Sequence, residues 1–460
     1  MAEAWANTAD GAGGIDLHLD VGGTRVRSGL ESALREAIRT GRLAAGTRLP
    51  PSRALAADLG LARNTVAEAY GQLVAEGWLA ARTGAGTWVT ALPVRQPPAA
   101  PVPVAAPPRY DLRPGVPDVS AFPRREWIAA SRAALADAPD HVLGYPDPRG
   151  VPQLRAALAG YLARTRGVHA APERIVVCAG FAHGLALLCR LLRARGGRAV
   201  SIEGYGHQSH RARVECHDMR AIAMPVDDGG AVPTGLDEAA AVLLTPAHQF
   251  PLGVTLRPER RRALVAWAGD TGGLVIEDDY DGEFRYDRQP VGAMQALAPE
   301  HVVYAGTASK SLAPGLRLGW LVLPDHLVDE VVAVMESFPG SLDQLTLAAF
   351  LDSGGYDRQV RHARLVYRRR RDRLVAALLR RRLPVTGIAA GLHALVELPG
   401  GGTEEEVVAR AAAHGLAIDG LGTYTAPGQR HAPALVVGYG RPPDHAFTTA
   451  LARLRTVLGG

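Results

Sequence analysis

The chain has 460 residues, 47% of them hydrophobic and 21% charged, which is room for two to four domains with a large buried core and excludes disorder as the main state. No run of about 18 apolar residues occurs and Met1 to Asp20 is acidic and Gly-rich without a basic opening, so neither a membrane span nor a signal peptide is expected, and the expected location is cytoplasmic. Fifty-one Lys+Arg against 46 Asp+Glu leave a net charge of +5, and all but one of the cations are arginine; the single lysine is Lys310.

Residues 1–20 read as a loose tail and 21–90 as a small module. Leu30, Ala33, Leu34, Ala37 and Ile38 fall on one face of a predicted helix that Gly41 ends. After Leu49-Pro50-Pro51, Ser52 stands where a cap is expected for a short helix carrying Leu55 and Leu59, closed by Gly60. A third helix opens on Arg63-Asn64-Thr65 and turns Val66, Ala69, Tyr70, Leu73 and Val74 inward, which makes a helix-turn-helix. Three hydrogen-bonding side chains at the start of a recognition helix are the chemistry that meets phosphates and base edges in a major groove. From Trp78 to Val89 two apolar strands flank a Gly-rich turn, the pattern of a wing. Nine arginines against five acids give the module a local excess suited to releasing counterions from DNA.

The stretch RLPPSRALAADLGLARNTVAEAYGQLVAEGWLAARTGAGTWV resembles the GntR family of winged helix-turn-helix repressors. That resemblance implies promoter DNA as a partner, with Arg53, Arg63, Asn64, Thr65, Arg82, Gly84 and Thr87 as its contacts. Prolines at 93, 97, 98, 101, 103, 107 and 108 then exclude helix and central strand from residues 91–109, which should form a semi-rigid polyproline-type linker.

Residues 110–460 alternate helical stretches with short β-rich runs at Arg174–Cys178, Ala199–Glu203, Ala241–Thr245, Leu274–Asp278, Val302–Thr307 and Leu318–Leu323. The fold class is therefore multidomain: a winged helix-turn-helix followed by an α/β domain with a largely parallel, helix-covered sheet. Ligands of such sheets gather at the carboxyl ends of the strands, where Gly180, Glu203, Thr245, Asp278-Asp279-Tyr280 and Thr307-Ala308-Ser309-Lys310 fall. Lys310 thus follows a buried strand. Desolvation there lowers the pKa of an amine able to form a Schiff base, which the permanently protonated arginine cannot do.

Pyridoxal phosphate chemistry needs more than a lysine: an acid at the ring nitrogen, a donor to the phenolic oxygen, phosphate ligands and a stacking surface. Asp278 suits the ring nitrogen, and Tyr280, on the same side of an extended segment, suits the phenolic oxygen. The hydroxyls of Thr307 and Ser309, the Arg317 guanidinium and the amides after Gly180, those of Phe181 and Ala182, suit the phosphate.

The segments GYPDPRGVPQLRAAL, LLTPAHQFPLG, VIEDDYDGEFRY and YAGTASKSLAPGLRLGWLVLP resemble the fold-type I aminotransferases. Nearly the whole chain is similar to the MocR/GabR regulators, which fuse a GntR-type winged helix to an aminotransferase-like domain. The resemblance implies pyridoxal 5'-phosphate as cofactor, Lys310 as its Schiff-base lysine and Arg317 as a phosphate ligand. It also implies a head-to-tail homodimer in which Tyr145 reaches the cofactor phosphate of the neighbouring subunit. Three positions depart from the aminotransferase pattern. The stacking aromatic falls on His207, with Tyr205 the alternative, and the asparagine that meets the phenolic oxygen falls on Phe250, leaving Tyr280 with help from His248 or Gln249. Val436 stands where an arginine would hold a substrate carboxylate, with Arg430 and Arg441 as nearby substitutes.

Cys178, Cys189 and Cys216 are too few for a disulfide framework and read as buried reduced thiols. The Arg-rich stretch from Arg358 to Arg382 reads as the solvated face of a helix rather than a second DNA site. His207, His210 and His217 lack the companions of a metal site, so no metal is expected. The function expected is a transcription regulator that senses pyridoxal phosphate, or its aldimine with an amine, with vitamin B6 synthesis as a candidate target. The rival is a working class I/II aminotransferase with an accessory DNA-binding module.

Overall fold

The computed structural model describes residues 26–82, 84–91, 108–286, 291–398 and 402–459, so the expected tail and most of the Pro-rich linker lie outside the described residues. The chain divides into two compact units, Met1–Ala105 and Ala106–Gly460.

In the first unit the helices Val26–Arg39, Ser52–Leu59 and Arg63–Ala75 enclose one core in which Leu30, Leu34, Leu55, Val66, Leu73 and Leu79 meet. Ser52 is the first residue inside its helix and not the cap, because Pro51, with φ −55°, already sets the entry and no side chain caps the first turn. Gly60 ends that helix with φ 67°, a left-handed conformation that costs glycine nothing. Leu79–Arg82 and Gly86–Val89 form the wing, and a third strand, Arg48–Leu49, pairs with the latter through Arg48↔Trp88 and Leu49↔Thr87. Two residues are too few to show a period of two, which is why the sequence pattern does not signal that strand.

The second unit is built on a seven-stranded sheet. Its order is Ile175–Cys178, Gly319–Val322, Val302–Thr307, Leu274–Asp278, Ala241–Leu244, Ala199–Glu203 and Arg220–Met224. All neighbouring pairs are parallel except those of Gly319–Val322, which runs against both of its neighbours. The six expected strands recur within a residue or two because both faces are covered and the runs are continuously apolar. Arg220–Met224 was not among them: it is an edge strand, half exposed, and RAIAM carries no buried run.

Four short strands, Val385–Thr386, His393–Glu397, Ala434–Gly438 and Asp419–Gly420, form a smaller sheet. The helices Gly355–Leu379 and Asp444–Val457 pack on it around Leu374, Leu378, Val396, Leu435 and Phe447. The Arg-rich stretch is the first of these helices, solvated at Arg361, Arg368 and Arg369 as expected. Arg370 is the exception; it is buried, donating to Asp118 at 2.9 Å and to the carbonyl of Pro442 at 2.7 Å. Cys178 and Cys189 are buried, but Cys216 is exposed at the end of Gln208–Glu215, which corrects the expectation for that thiol.

Candidate functional site

Two chemistries meet in this chain, one in each unit. In the first unit Arg35 is paired with Glu76 at 2.7 Å and Glu31 at 3.4 Å, Arg39 with Glu36, and Arg27 with Glu31 and with Glu68 of the recognition helix. Arg53, Arg63 and Arg82 are exposed and have no acidic partner among the described residues. Asn64 and Gly84 are exposed with them, and Thr65 and Thr87 are half-buried. Arg63–Ala75 begins on Arg63, Asn64 and Thr65, and Gly84 supplies φ 79° at the tip of the wing. Arg53, Arg63 and Arg82 are thus left free to meet phosphates.

In the second unit a cavity of about 230 Å³ opens at the carboxyl ends of the central strands. Asp278 ends its strand inside it, and Lys310 follows Val302–Thr307 into the same space. The Asp278 carboxyl is buried and accepts no hydrogen bond among the described residues; burial, with Asp279, Asp281 and Glu203 nearby, pushes its pKa well up against the pull of Lys310. Such a carboxyl is short of a cationic donor. Burial lowers the pKa of the Lys310 amine, and its Nζ donates to the main-chain carbonyl of Gly115.

One end of the cavity is a cradle for an anion. Gly180, at φ 82°, leads into the helix Phe181–Ala194, whose first residues Phe181 and Ala182 line the wall. The Arg317 guanidinium lies beside Gly180 and donates to the carbonyl of Ala179, and Arg317 holds its own left-handed φ of 53°. Thr307 Oγ1 donates to Ser309 Oγ at 2.8 Å, and both residues line the same wall. Helix N–H groups, two hydroxyls and a guanidinium are the donors a phosphate requires.

His207 and Tyr205 both line the cavity. His207 stacks on Phe250 with ring centres 4.3 Å apart and 14° between planes, and burial takes its pKa down to about 4, so the ring is neutral at physiological pH. Tyr205 is nine-tenths buried in an apolar cluster with Phe250, Tyr424 and Val436. Tyr280 reaches His248, with its hydroxyl 3.1 Å from Nδ1, and that nitrogen also meets Asp281 Oδ2 at 2.8 Å. Gln249 turns away; its Nε2 serves Glu203, the Tyr205 carbonyl and the Phe250 carbonyl. Of the two expected helpers of Tyr280, the geometry takes His248. Tyr145 is 99% exposed and lines no part of its own chain's cavity.

Sequence reasoning missed Asp281, Glu203 as a buried acid, and Gly115. Glu203 accepts from Thr245 N and Oγ1 at 3.1 and 2.6 Å, and burial raises its pKa to about 7. The signal for Asp281 lay in IEDDYDGEF, where a third aspartate, three residues past the strand end, is more than one cofactor contact needs. Val436 is fully buried; Arg430 is exposed, and Arg441 donates to Asp111 rather than turning to the cavity. No cluster of three metal-ligating side chains occurs among the described residues, and no described helix is long and apolar enough to cross a membrane.

This fold defines an aminotransferase type of domain joined to a winged helix. Residues 115–428 match the aminotransferase class I and II family, and residues 27–89 match the gntR family of bacterial regulatory proteins. The chain belongs to the regulators in which those two domains are fused. It is 33% identical to the pyridoxine biosynthesis transcriptional regulator PdxR of Corynebacterium glutamicum, over 94% of this chain and 95% of that one. It is 32% identical to the regulator TauR of Rhodobacter capsulatus, over 93% and 96%. The probable rhizopine catabolism regulatory protein MocR of Rhizobium meliloti is 34% identical over 77% of each chain. Among solved structures, the kynurenine aminotransferase of Pyrococcus horikoshii superposes with a TM-score of 0.68 at 23% identity, covering 77% of this chain and 91% of that one.

Proposed function

We propose that this protein regulates transcription by binding promoter DNA through residues 21–90 and by taking pyridoxal phosphate at Lys310 as its signal. The observation that carries the reading is the asymmetry around Lys310. On one side lies the roomy cavity with its anion cradle and unpartnered Asp278; on the other, between Gly115, Phe250, Tyr280, Leu392 and His393, only about 10 Å³ is open. That holds no more than a water. The residues fit the cofactor: Asp278 would keep the ring nitrogen protonated, Tyr280 would meet the phenolic oxygen, His207 or Tyr205 would stack, and Thr307, Ser309, Arg317 and the Phe181 and Ala182 amides would hold the phosphate. When bound, the group supplies an electrophilic carbon and an electron sink. A transaminating site must also hold a substrate carboxylate, and hydrocarbon occupies the two positions, Val436 and Phe250, where polar groups would stand.

That the relatives are named as regulators supports a regulator here, and one of them is named for pyridoxine biosynthesis. We further propose a head-to-tail homodimer. Ile128, Leu135, Leu143 and Tyr145 lie exposed within a short stretch of chain, an apolar surface that a second subunit would cover while Tyr145 entered its cavity. The test is operator binding titrated with pyridoxal phosphate. Affinity that changes with cofactor concentration supports the sensor; catalytic turnover of amino and keto acids with no change in DNA affinity establishes the aminotransferase alternative.

A further inference from the structure

Tyr110–Asp111 is the first strand of the second unit, and it pairs parallel with Leu416–Ala417. The chain is pinned again at Leu112, whose N–H donates to Ala417 and whose carbonyl accepts from Gly438 at 2.6 Å. It is next pinned at Asp118, whose N–H donates to the Tyr367 hydroxyl at 3.0 Å and whose carboxylate holds Arg370. Between these anchors run Arg113-Pro114-Gly115-Val116-Pro117. Two prolines remove two donors, and the Arg113 N–H is spent on Asp111 at 3.0 Å. From Pro114 to Pro117 the one main-chain hydrogen bond among the described residues is the Gly115 carbonyl accepting from Lys310 Nζ. Gly115 sits at φ 91°, where an L side chain is strained, so the loop's path is set by glycine and its hold by lysine.

We propose that the Lys310–Gly115 hydrogen bond is a latch that cofactor capture opens, and that its release in the segment entering this unit from the linker is how occupancy is relayed toward the DNA-binding unit. The inference rests on pyridoxal phosphate being the ligand of Lys310. Its chemistry is a proton count. A C=N bond forms between Nζ and the aldehyde carbon, and the aldehyde oxygen leaves as water with two hydrogens from the neutral amine; nothing is oxidised or reduced. The nitrogen has then given up both hydrogens, and none of those the amine offered is left for Gly115. A half-buried carbonyl stripped of its donor is destabilised in place, so the loop moves to water or to another donor. That differential between two states is what a population shift requires.

Two substitutions separate the latch from the capture. K310R keeps a donor for Gly115 and cannot form the C=N bond; K310M removes both. Operator affinity of the full chain is measured with and without pyridoxal phosphate, expecting a wild-type shift of about fivefold or more, the lower end of ordinary coupling. K310M without cofactor should match cofactor-saturated wild type, and K310R with cofactor should match cofactor-free wild type. Hydrogen exchange at the Leu112 and Asp118 amides, which are bonded at the two ends of the loop, should rise with cofactor in wild type, be high throughout in K310M and stay low in K310R. If K310M does not fold, the wild-type exchange alone decides, and unchanged Leu112 and Asp118 amides overturn the latch. A responsive wild type whose two variants bind operator alike also overturns the latch and leaves the sensor standing. A wild type whose operator affinity ignores the cofactor removes the sensor and the latch together.

Discussion

Asp278 and Lys310 set each other's charge across the cavity. Burial raises the carboxyl and lowers the amine, and each then draws the other part of the way back toward its ionised form. An amine whose pKa is lowered is neutral, and nucleophilic, at a lower pH than a solvated lysine.

The first prediction is that Lys310 is the residue that captures pyridoxal phosphate. Borohydride reduction of the loaded protein followed by peptide mapping should find the cofactor on Lys310, and Lys310→Ala should lose the fixable chromophore. Fixation on the N-terminal amine in wild type refutes the assignment.

How much of this was legible follows from physical scale. Asp278, Tyr280 and Lys310 were legible because each is a chemically distinct side chain at or just past the end of a continuously apolar run, and Arg317 because the resemblance implies a phosphate ligand seven residues after the lysine. The Asp281–His248 contact was not, because the two lie 33 positions apart and meet only when neighbouring strands Ala241–Leu244 and Leu274–Asp278 align. Gly115 was invisible for a different reason. Its contribution is a carbonyl oxygen, which every residue has, and only the fold brings it to Lys310. Likewise the strand Arg48–Leu49 exists by pairing with the wing, not by any pattern of its own.

The buried acids should cost the chain stability from acid to neutral pH. Burial raises the carboxyls of Glu203, Glu277 and Glu283 to about 7 in the folded chain, against an ordinary value of 4.5. Between those values the folded state holds protons that the unfolded state has released, so stability decreases as pH rises through the window and levels off above about 7. Each group contributes up to roughly 3 kcal/mol of that loss. The buried His207, His210 and His393, whose pKa values burial lowers, act in the opposite sense over the same window, so the acid's share is read by difference: the stability advantage of wild type over Glu203→Gln in urea should shrink between pH 5 and pH 8. An advantage that grows over this window contradicts the burial of Glu203.

DNA binding should reside in residues 21–90 and weaken steeply with salt, because its free cations must displace condensed counterions. Arg53→Ala and Arg63→Ala should each cost about 1–3 kcal/mol in operator affinity if they meet bases, with cofactor uptake unchanged. Filter binding across a salt series measures both. A truncated chain beginning at Arg109 that still binds the operator places the DNA site elsewhere.

Val436 governs the last prediction, which concerns the effector. A guanidinium would grip a carboxylate with two charge-assisted hydrogen bonds, and an isopropyl group offers none. Val436 is fully buried beside Phe250 and Tyr424, Arg430 is exposed, and Arg441 is engaged by Asp111, so no arginine at these positions is poised to take over. Ordinary amino acids should therefore bind the cofactor-loaded protein weakly, since the missing pair is worth several kcal/mol in a site closed to water. An amine without a carboxylate should be tolerated better than its amino-acid counterpart. Absorption spectra of the loaded protein, titrated with matched pairs of amines and amino acids alongside operator binding, decide the matter. A single amino acid that shifts both spectrum and operator affinity at micromolar concentration, while the free cofactor changes neither, makes the amino acid the signal and requires Arg441 to leave Asp111 for its carboxylate.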